Sequence, residues 1–433
     1  MYYDLAIIGA GWAGFNASLR AKGLGLKVLL VEKEQLGGTC LNQGCIPTKT
    51  LIQSAKAYSL SKKSQAFGID VVNPQINFTK IQERKEKIIQ QLRSGMQFML
   101  KGIEFLNAQA QILSKKEVKV GNETIKTKFI LIATGSKPLE LPNLRFDGKK
   151  IISSDDILNL KEIPGSLLII GGGVIGCEFA SLFSILGSRV WIVEKMPQLL
   201  PGLDLSLAKK IETIFKKKGI KVSTNTDATT VDLKDYDLAL LCIGRAPKTE
   251  GLGLENIGLN IEKGRIIVDE YLKTNIPNIY AAGDCAARLM LAHYASYQGR
   301  IAAENIAHPE NPIKVDDSTV PNCIFTDPEI ASVGLTEEEA KTKDISIKRF
   351  DFLGSGMARI LDETEGFIKI ICDKKTDQIL GASIIGPKAT ELIGILTLAK
   401  SSNLKISQIQ DTIFAHPTLS ECISEALRTN YAI

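Results

Sequence analysis

Leu5-Ala6-Ile7-Ile8-Gly9-Ala10-Gly11-Trp12-Ala13-Gly14 stands close to the N-terminus, and it decides the fold because it recurs. The four apolar residues read as a fully buried strand, the glycine run as a tight turn, and the stretch to about Gly23 as a helix. A second apolar strand, Val28-Leu29-Leu30-Val31, ends at Glu32. The pattern returns 162 residues later: Leu167-Leu168-Ile169-Ile170, then Gly171-Gly172-Gly173-Val174-Ile175-Gly176, a helix to Leu186, and Val190-Trp191-Ile192-Val193 ending at Glu194. In both copies the acid lies 23 residues after the first glycine.

Each copy carries what a dinucleotide needs. The first glycine (Gly9, Gly171) permits the turn, the second (Gly11, Gly173) lets backbone approach a pyrophosphate, and the third (Gly14, Gly176) allows close helix–strand packing. The helix start, at Val174 and Ile175 in the second copy, supplies free N–H groups and the positive end of a dipole. The terminal acid can accept hydrogen bonds from a ribose 2′-hydroxyl. At Glu194 a carboxylate repels a 2′-phosphate, which favours NAD over NADP.

Two further buried strands fit a nucleotide fold that is interrupted. Phe129-Ile130-Leu131-Ile132-Ala133-Thr134-Gly135 ends in small residues, and Asn278-Ile279-Tyr280-Ala281-Ala282-Gly283-Asp284 ends in an acid able to meet a ribityl chain or pyrophosphate. Taken singly, each also reads as a plain strand-end turn. After Ser318 come apolar strands over 367–371 and 379–385 and a helix over 390–401, with no glycine fingerprint. The fold expected is α/β, with two Rossmann-like dinucleotide-binding domains, the second inserted in the first, and a C-terminal α+β domain for packing or assembly. The expected spans are 1–145 and 264–318 for the first nucleotide domain, 146–263 for the second and 319–433 for the last.

Composition narrows the class. At ~150 residues per domain, 433 residues suit about three domains. Apolar residues at 44% and charged residues at 23% exclude a disordered or fibrous chain. Net charge is +5 without a basic block, so neither nucleic acid nor a membrane surface is an expected partner. No apolar run reaches the ~18 residues of a membrane span; 166–177 is rich in glycine and stops at Glu178. The first strand begins almost at once, leaving no room for a signal or transit peptide, and a cytoplasmic location is expected.

Of eight cysteines, Cys177, Cys242, Cys285, Cys323, Cys372 and Cys422 are scattered and read as small buried hydrophobes. Cys40 and Cys45 form the only close pair, within Gly37-Gly38-Thr39-Cys40-Leu41-Asn42-Gln43-Gly44-Cys45-Ile46-Pro47-Thr48-Lys49. The intervening residues can turn and bring the sulfurs within bonding distance at a helix start, where a thiol pKa falls. Zinc binding and a plain structural disulfide compete, although no further Cys or His lies nearby to complete a metal site. Three histidines occur. His308 reads as surface, and His293 either touches a cofactor or packs. His416, in Phe414-Ala415-His416-Pro417-Thr418-Leu419-Ser420-Glu421, has a carboxylate five residues on that can orient the ring; a catalytic dyad and a capped structural histidine fit equally.

Together these motifs resemble the flavin-dependent pyridine nucleotide–disulfide oxidoreductases over nearly the whole chain. The segment 37–49 matches that family's redox-disulfide motif, and Ile46-Pro47 favours its lipoamide branch. The segment 416–421 matches its histidine–glutamate motif. Thr364-Glu365-Gly366-Phe367 and Ile384-Ile385-Gly386-Pro387 are similar to its interface domain. The resemblance implies FAD in the first fold, at Gly9, Gly11, Gly14, Glu32, Lys33, Gly38, Thr39, Cys40, Lys49, Ala110, Thr134, Gly135, Asp284 and Ala292. It implies NAD in the second, at Gly171, Gly173, Val174, Ile175, Gly176, Glu194 and Gly244. It further implies a Cys40–Cys45 redox disulfide, with Cys45 facing the flavin and Cys40 exchanging with substrate. Lys49 would pair with Glu178, whose bland alternative is a solvated helix residue. His416 and Glu421 would form an acid–base dyad reaching across a homodimer, and no metal is implied.

The implied reaction is oxidation of dihydrolipoamide with NAD. No lipoyl domain is fused, so the substrate would arrive on a lipoyl-bearing protein of a 2-oxo acid dehydrogenase or glycine-cleavage complex. Two departures stand out: Phe414 replaces a histidine frequent in this branch, and the chain is short between Val222 and Leu238, where a β-hairpin usual in this branch is expected to be trimmed. The rivals are a glutathione- or mercuric-type reductase, against which stand the absence of arginines near Glu194 and of a terminal cysteine pair, and a non-catalytic flavin-bound subunit.

Overall fold

The computed structural model describes residues 2–428; the expected first and last spans reach residues 1 and 429–433, which lie outside the described residues. In β1 (Tyr2–Ile8), Leu5 and Ile7 join one apolar cluster while Ala6 and Ile8 join another. A strand covered on both faces needs an unbroken apolar run rather than an alternating one. The chain continues through α1 (Trp12–Gly23), β2 (Val28–Glu32), α2 (Gly38–Gln43), α3 (Cys45–Lys62) and α4 (Phe78–Met99). It then forms β3 (Glu104–Asn107), β4 (Ala110–Ser114), β5 (Glu117–Val120) and β6 (Glu123–Ile132). The first sheet has the order β3-β2-β1-β6-β5-β4, parallel from β3 to β6 and antiparallel beyond.

After β6 the chain leaves this sheet. β7 (Ser136–Pro138) and β8 (Ile151–Ile152) lead into β9 (Ser166–Ile170), α5 (Val174–Leu186), β10 (Arg189–Val193), α6 (Leu205–Lys217), β11 (Lys221–Ser223) and β12 (Leu238–Leu241). These strands form a second, all-parallel sheet in the order β11-β10-β9-β12-β8. β13 (Arg245–Pro247) then pairs antiparallel with β7, so the two crossings between the sheets run side by side. A small ribbon, β14 (Ile261–Glu262) with β15 (Arg265–Ile266), precedes β16 (Ile279–Ala281). β16 returns parallel to β6, with Ile279 opposite Ile130. α7 (Ala292–Ala307) packs on α1 over the first sheet.

The glycine fingerprints are built alike. Gly9 has φ +104°, and a Cβ there would lie 2.3 Å from the Ala133 carbonyl; Gly171 has φ +111°, and its Cβ would lie 2.6 Å from the Cys242 carbonyl. Only glycine tolerates both the conformation and the contact. Between β11 and β12 there is no hairpin, only two short 3₁₀ turns over Ala228–Thr230 and Leu233–Asp235. Trp191 and Tyr236, ring centres 5.8 Å apart, cover the sheet face there, and the Lys221 ammonium lies 3.7 Å over Trp191.

The last region is an antiparallel sheet, β17-β18-β21-β20-β19, formed by β17 (Asn322–Ile324), β18 (Glu329–Gly334), β19 (Ile345–Asp351), β20 (Phe367–Asp373) and β21 (Ile379–Gly386). Short helices α8 (Glu337–Ala340) and α9 (Gly356–Ile360) interrupt it, and α10 (Ala389–Ser401), α11 (Ile406–Gln410) and α12 (Glu421–Arg428) close it. Among the described residues no helix is long and apolar enough to cross a membrane.

A buried ion cluster joins this sheet to the second one. Lys369 on β20 donates to both oxygens of Asp204 at 2.6 and 2.7 Å and to Glu337 at 2.8 Å; the Lys369 and Asp204 side chains are 4% and 1% exposed. Asp204 also caps α6 by accepting from Ser206 N. Burial alone would raise its carboxyl pKa, but hydrogen bonds from Lys369 and Ser206 outweigh this and hold it below the usual carboxylate range. The pairing therefore stabilises the fold above about pH 4 and is lost only as pH falls through the lower folded value. Removing one partner of a buried pair costs about 3–5 kcal/mol. Lys369→Met should therefore lower the thermal midpoint by several degrees, and adding Asp204→Asn should recover most of the loss; calorimetry of the two variants checks both.

Candidate active site

Gly44 separates two helices that would otherwise be one. A Cβ at Gly44 would lie 3.0 Å from the Thr39 carbonyl and 3.3 Å from Cys40 Cα, so a larger residue there would press α2 and α3 apart by a few tenths of an ångström. Cys40 thereby sits on α2 and Cys45 on the first residue of α3, their sulfurs in hydrogen-bond contact as free thiols. Asn42 braces this bend, donating to the Leu36 and Gly38 carbonyls and accepting from Arg93 at 2.6 Å.

The two thiols are electrically unequal. Cys45 is pushed down to about 7: the hydrogen bond from Cys40 favours its thiolate most, burial opposes it, and the Lys49 ammonium helps. Cys40 is pushed far up, first by that same hydrogen bond, then by burial and by the charge on Cys45, with Trp12 and Lys49 acting the other way. Such a pair holds its negative charge on Cys45, at the helix start.

Lys49, one turn further along α3, donates to Glu178 Oε2 at 2.7 Å. Glu178 lies on α5 with its side chain only 4% exposed, so it is not a solvated helix residue. Its other oxygen accepts from Phe325 N at 2.9 Å, and Lys49 Nζ lies 4.8 Å over the Phe325 ring.

These groups line one cavity of about 1450 Å³ that reaches both glycine fingerprints. On the first side its wall includes Gly9, Gly11, Glu32, Lys33, Gly38, Thr39, Ala110, Thr134, Gly135, Asp284 and Ala292. On the second it includes Gly171, Gly173, Val174, Ile175, Glu194 and Gly244. Gly14 and Gly176 stand behind the wall; a Cβ on them would come within 1.8 and 1.9 Å of the Gly9 and Gly171 carbonyls. By contrast a Cβ at Gly135, Gly173 or Gly244 would meet nothing within 4 Å, so the backbone there is bare toward open space. A cavity this long, reaching two helix starts and with bare backbone at one of them and beyond two strand ends, fits two dinucleotides.

The two acids are anchored identically. Glu32 accepts from Ala10 N and Glu34 N, and Glu194 from Gly172 N and Met196 N, all at 2.6–2.8 Å. Each oxygen keeps a free lone pair for a ribose hydroxyl. Asp284 accepts from Ser136 Oγ at 2.6 Å, and Ser136 accepts from Arg245 Nε at 2.8 Å. His293 lines the cavity with Nε2 2.8 Å from the Pro321 carbonyl, whereas His308 is exposed.

His416 and Glu421 lie elsewhere. Nδ1 of His416 is 3.0 Å from Glu421 Oε1, and Glu421 Oε2 accepts from Thr418 N at 2.7 Å. That backbone bond, with the His416 contact, lowers the Glu421 pKa. The His416 ring is 82% exposed and does not line the cavity. Phe414 packs against the core of the last sheet. Trp12, Arg245 and Phe325 line the cavity without having been singled out from the sequence; only Arg245 had a signal, the turn Gly244-Arg245-Ala246-Pro247 straight after a buried strand.

Comparison with known proteins identifies the relatives of this chain. Residues 3–299 match the model for pyridine nucleotide-disulphide oxidoreductases, and residues 320–427 match that family's dimerisation domain. A dihydrolipoyl dehydrogenase of Bacillus subtilis is 40% identical over 460 residues, covering 98% of this chain and 97% of its own. One from Geobacillus stearothermophilus is 41% identical over 449 residues, covering 98% and 95%. Among solved structures, the HOCl-induced flavoprotein disulfide reductase RclA of Escherichia coli is 31% identical with a TM-score of 0.88, covering 98% of this chain and 99% of that one.

In the reduced protein the Cys45 thiolate should appear as pH rises through about 7. Thiolate ultraviolet absorbance should show one such step, displaced upward by Lys49→Met, which removes a charge that favours the anion.

Proposed function

Because this chain belongs to the pyridine nucleotide–disulphide oxidoreductases, we propose that it oxidises a protein-bound dihydrolipoyl group to lipoyl disulfide, with NAD as acceptor. It is an oxidoreductase acting on sulfur groups and uses FAD and NAD. The observation carrying the reading is the Cys40–Cys45 pair, whose charge is held on Cys45, beside a cavity that fits two dinucleotides. In this reading FAD rests against Gly9, Gly11, Glu32, Gly38 and Asp284, and NAD against Gly171, Gly173, Val174, Ile175, Glu194 and Gly244. The Glu194 carboxylate disfavours a 2′-phosphate, and so favours this reading over an NADP-dependent disulfide reductase. The division at 145/146, 263/264 and 318/319 follows the same reading.

The chain's own groups perform the sulfur chemistry. One dihydrolipoyl thiol gives its proton to His416 of the partner subunit, whose charge the Glu421 carboxylate supports. The substrate thiolate attacks Cys40 Sγ; the Cys40–Cys45 bond breaks, and Cys45 leaves with the electron pair as thiolate. Once His416 has passed that proton to water it takes the proton of the second substrate thiol, whose sulfur attacks the substrate sulfur of the mixed disulfide; the lipoyl ring closes, the bond to Cys40 breaks, and Cys40 leaves with the electron pair. Lys49 and Glu178 hold the charge balance beside Cys45. Bound FAD and NAD supply the two-electron transfer that returns the pair to the disulfide. A homodimer, supported by the dimerisation-domain match, accounts for a dyad exposed on its own chain. The lipoyl group would ride on a protein of a 2-oxo acid dehydrogenase or glycine-cleavage complex, in the cytoplasm.

The test is NADH formation from NAD and dihydrolipoamide, beside wells with NADP or with reduced glutathione; turnover only in the first supports the proposal, and silence with reducible FAD removes lipoamide. Cys45→Ser should abolish lipoamide turnover while NADH still bleaches the flavin. His416→Gln should lose at least ~100-fold in turnover, the low end for general acid–base catalysis, and a loss under threefold would leave the histidine structural.

A further inference from the structure

The fingerprint of the first sheet carries a tryptophan at its fourth position, and the thiol chemistry gives that side chain something to do. Trp12 Nε1 is buried and has no hydrogen-bond partner of ordinary geometry among the described residues. An indole nitrogen is a donor only, and a buried donor left unpaired costs about 1–3 kcal/mol, so its position calls for a cause. Trp12 stands on the cavity wall with Gly38, Thr39 and Cys40, and the sulfur it approaches is Cys40. Gly38 brings the two segments together: a Cβ there would lie 2.7 Å from Gly11 Cα.

We propose that Trp12 is a catalytic hydrogen-bond donor to Cys40, its indole N–H stabilising the negative charge that this sulfur takes on when the mixed disulfide is resolved. The inference rests on the thiol-exchange reading above. In the resolving step the second substrate thiolate attacks the substrate sulfur. The new bond is the lipoyl disulfide, the broken bond is the one from Cys40 Sγ to the substrate sulfur, and Cys40 departs with the electron pair. Burial disfavours that charge, and so does Cys45 beside it, which is already the preferred anion. Lys49 opposes this from a distance, and Trp12 is the neighbouring donor that favours the Cys40 thiolate directly. The run of reaction in reverse uses the same contact, with Cys40 thiolate as the attacking group.

Trp12→Phe keeps the aromatic bulk and removes the N–H. Holoenzyme reduced with a phosphine, so that no lipoyl substrate is needed, is trapped with iodoacetamide across a pH series and read by mass spectrometry at each cysteine. Alkylation of Cys40 should slow about tenfold at neutral pH, the worth of one hydrogen bond to a charged group, and its profile should move to higher pH, with Cys45 little changed. A Cys40 profile superimposable on the parent's, with FAD retained, overturns the proposal. Should the variant fail to fold, Trp191→Phe leaves Trp12 as the sole tryptophan of the two in the chain. Its emission should then rise when the quenching disulfide is reduced, and an unchanged emission overturns the proposal. Slowed alkylation in an enzyme that does not turn over dihydrolipoamide would keep the donor and discard the lipoamide reading.

Discussion

One buried carboxylate ties the molecule together. Glu178, on the first helix of the inserted sheet, takes the Lys49 ammonium from the cysteine-bearing helix on one oxygen and the Phe325 N–H from the last sheet on the other. Burying an ion is expensive unless its partners are in place, so this geometry is satisfied only when all three parts of the chain are docked together. The cavity, walled by residues of all three parts, depends on that docking. A second, wholly buried pair, Asp204 with Lys369, repeats the arrangement farther out, again joining the inserted sheet to the last one.

Much of the fold was legible because it is local and repeated. Gly9 and Gly171 occupy the same strained turn against the carbonyl of a neighbouring strand, and Gly14 and Gly176 press equally onto the carbonyls of the first glycines. Steric demands of that kind admit a single residue type and so leave a mark in sequence. The closure of the shortened region between β11 and β12 left no such mark. It depends on Trp191 meeting Tyr236, a contact between residues that pattern alone assigns to ordinary strand and loop positions.

The candidate site divides the same way. Cys40 and Cys45 are near neighbours within a glycine-bounded turn, and His416 and Glu421 are five residues apart, so each pair could be read directly. Lys49 and Glu178 are 129 residues apart and meet only through tertiary packing, so family likeness was needed to connect them. Trp12 and Phe325 went unnoticed because an aromatic beside a glycine turn or at a strand end has an adequate explanation as core. What distinguishes them is the cavity they face, which no periodicity describes.

The path of the chain between β6 and β16 bears on how the protein is made. Ile279 pairs opposite Ile130 but follows it by 149 residues. At about 5–20 residues per second of synthesis, β6 waits roughly 7–30 s for its neighbour to leave the ribosome. Meanwhile the five parallel strands ending at Leu241 are already complete. The interior unit can therefore fold as it emerges, while the first sheet keeps an open apolar edge, a known template for wrong pairing. The order of assembly is inside first and outside last, and the growing chain's most vulnerable interval is the one in which the first nucleotide fold has been written but cannot yet be closed.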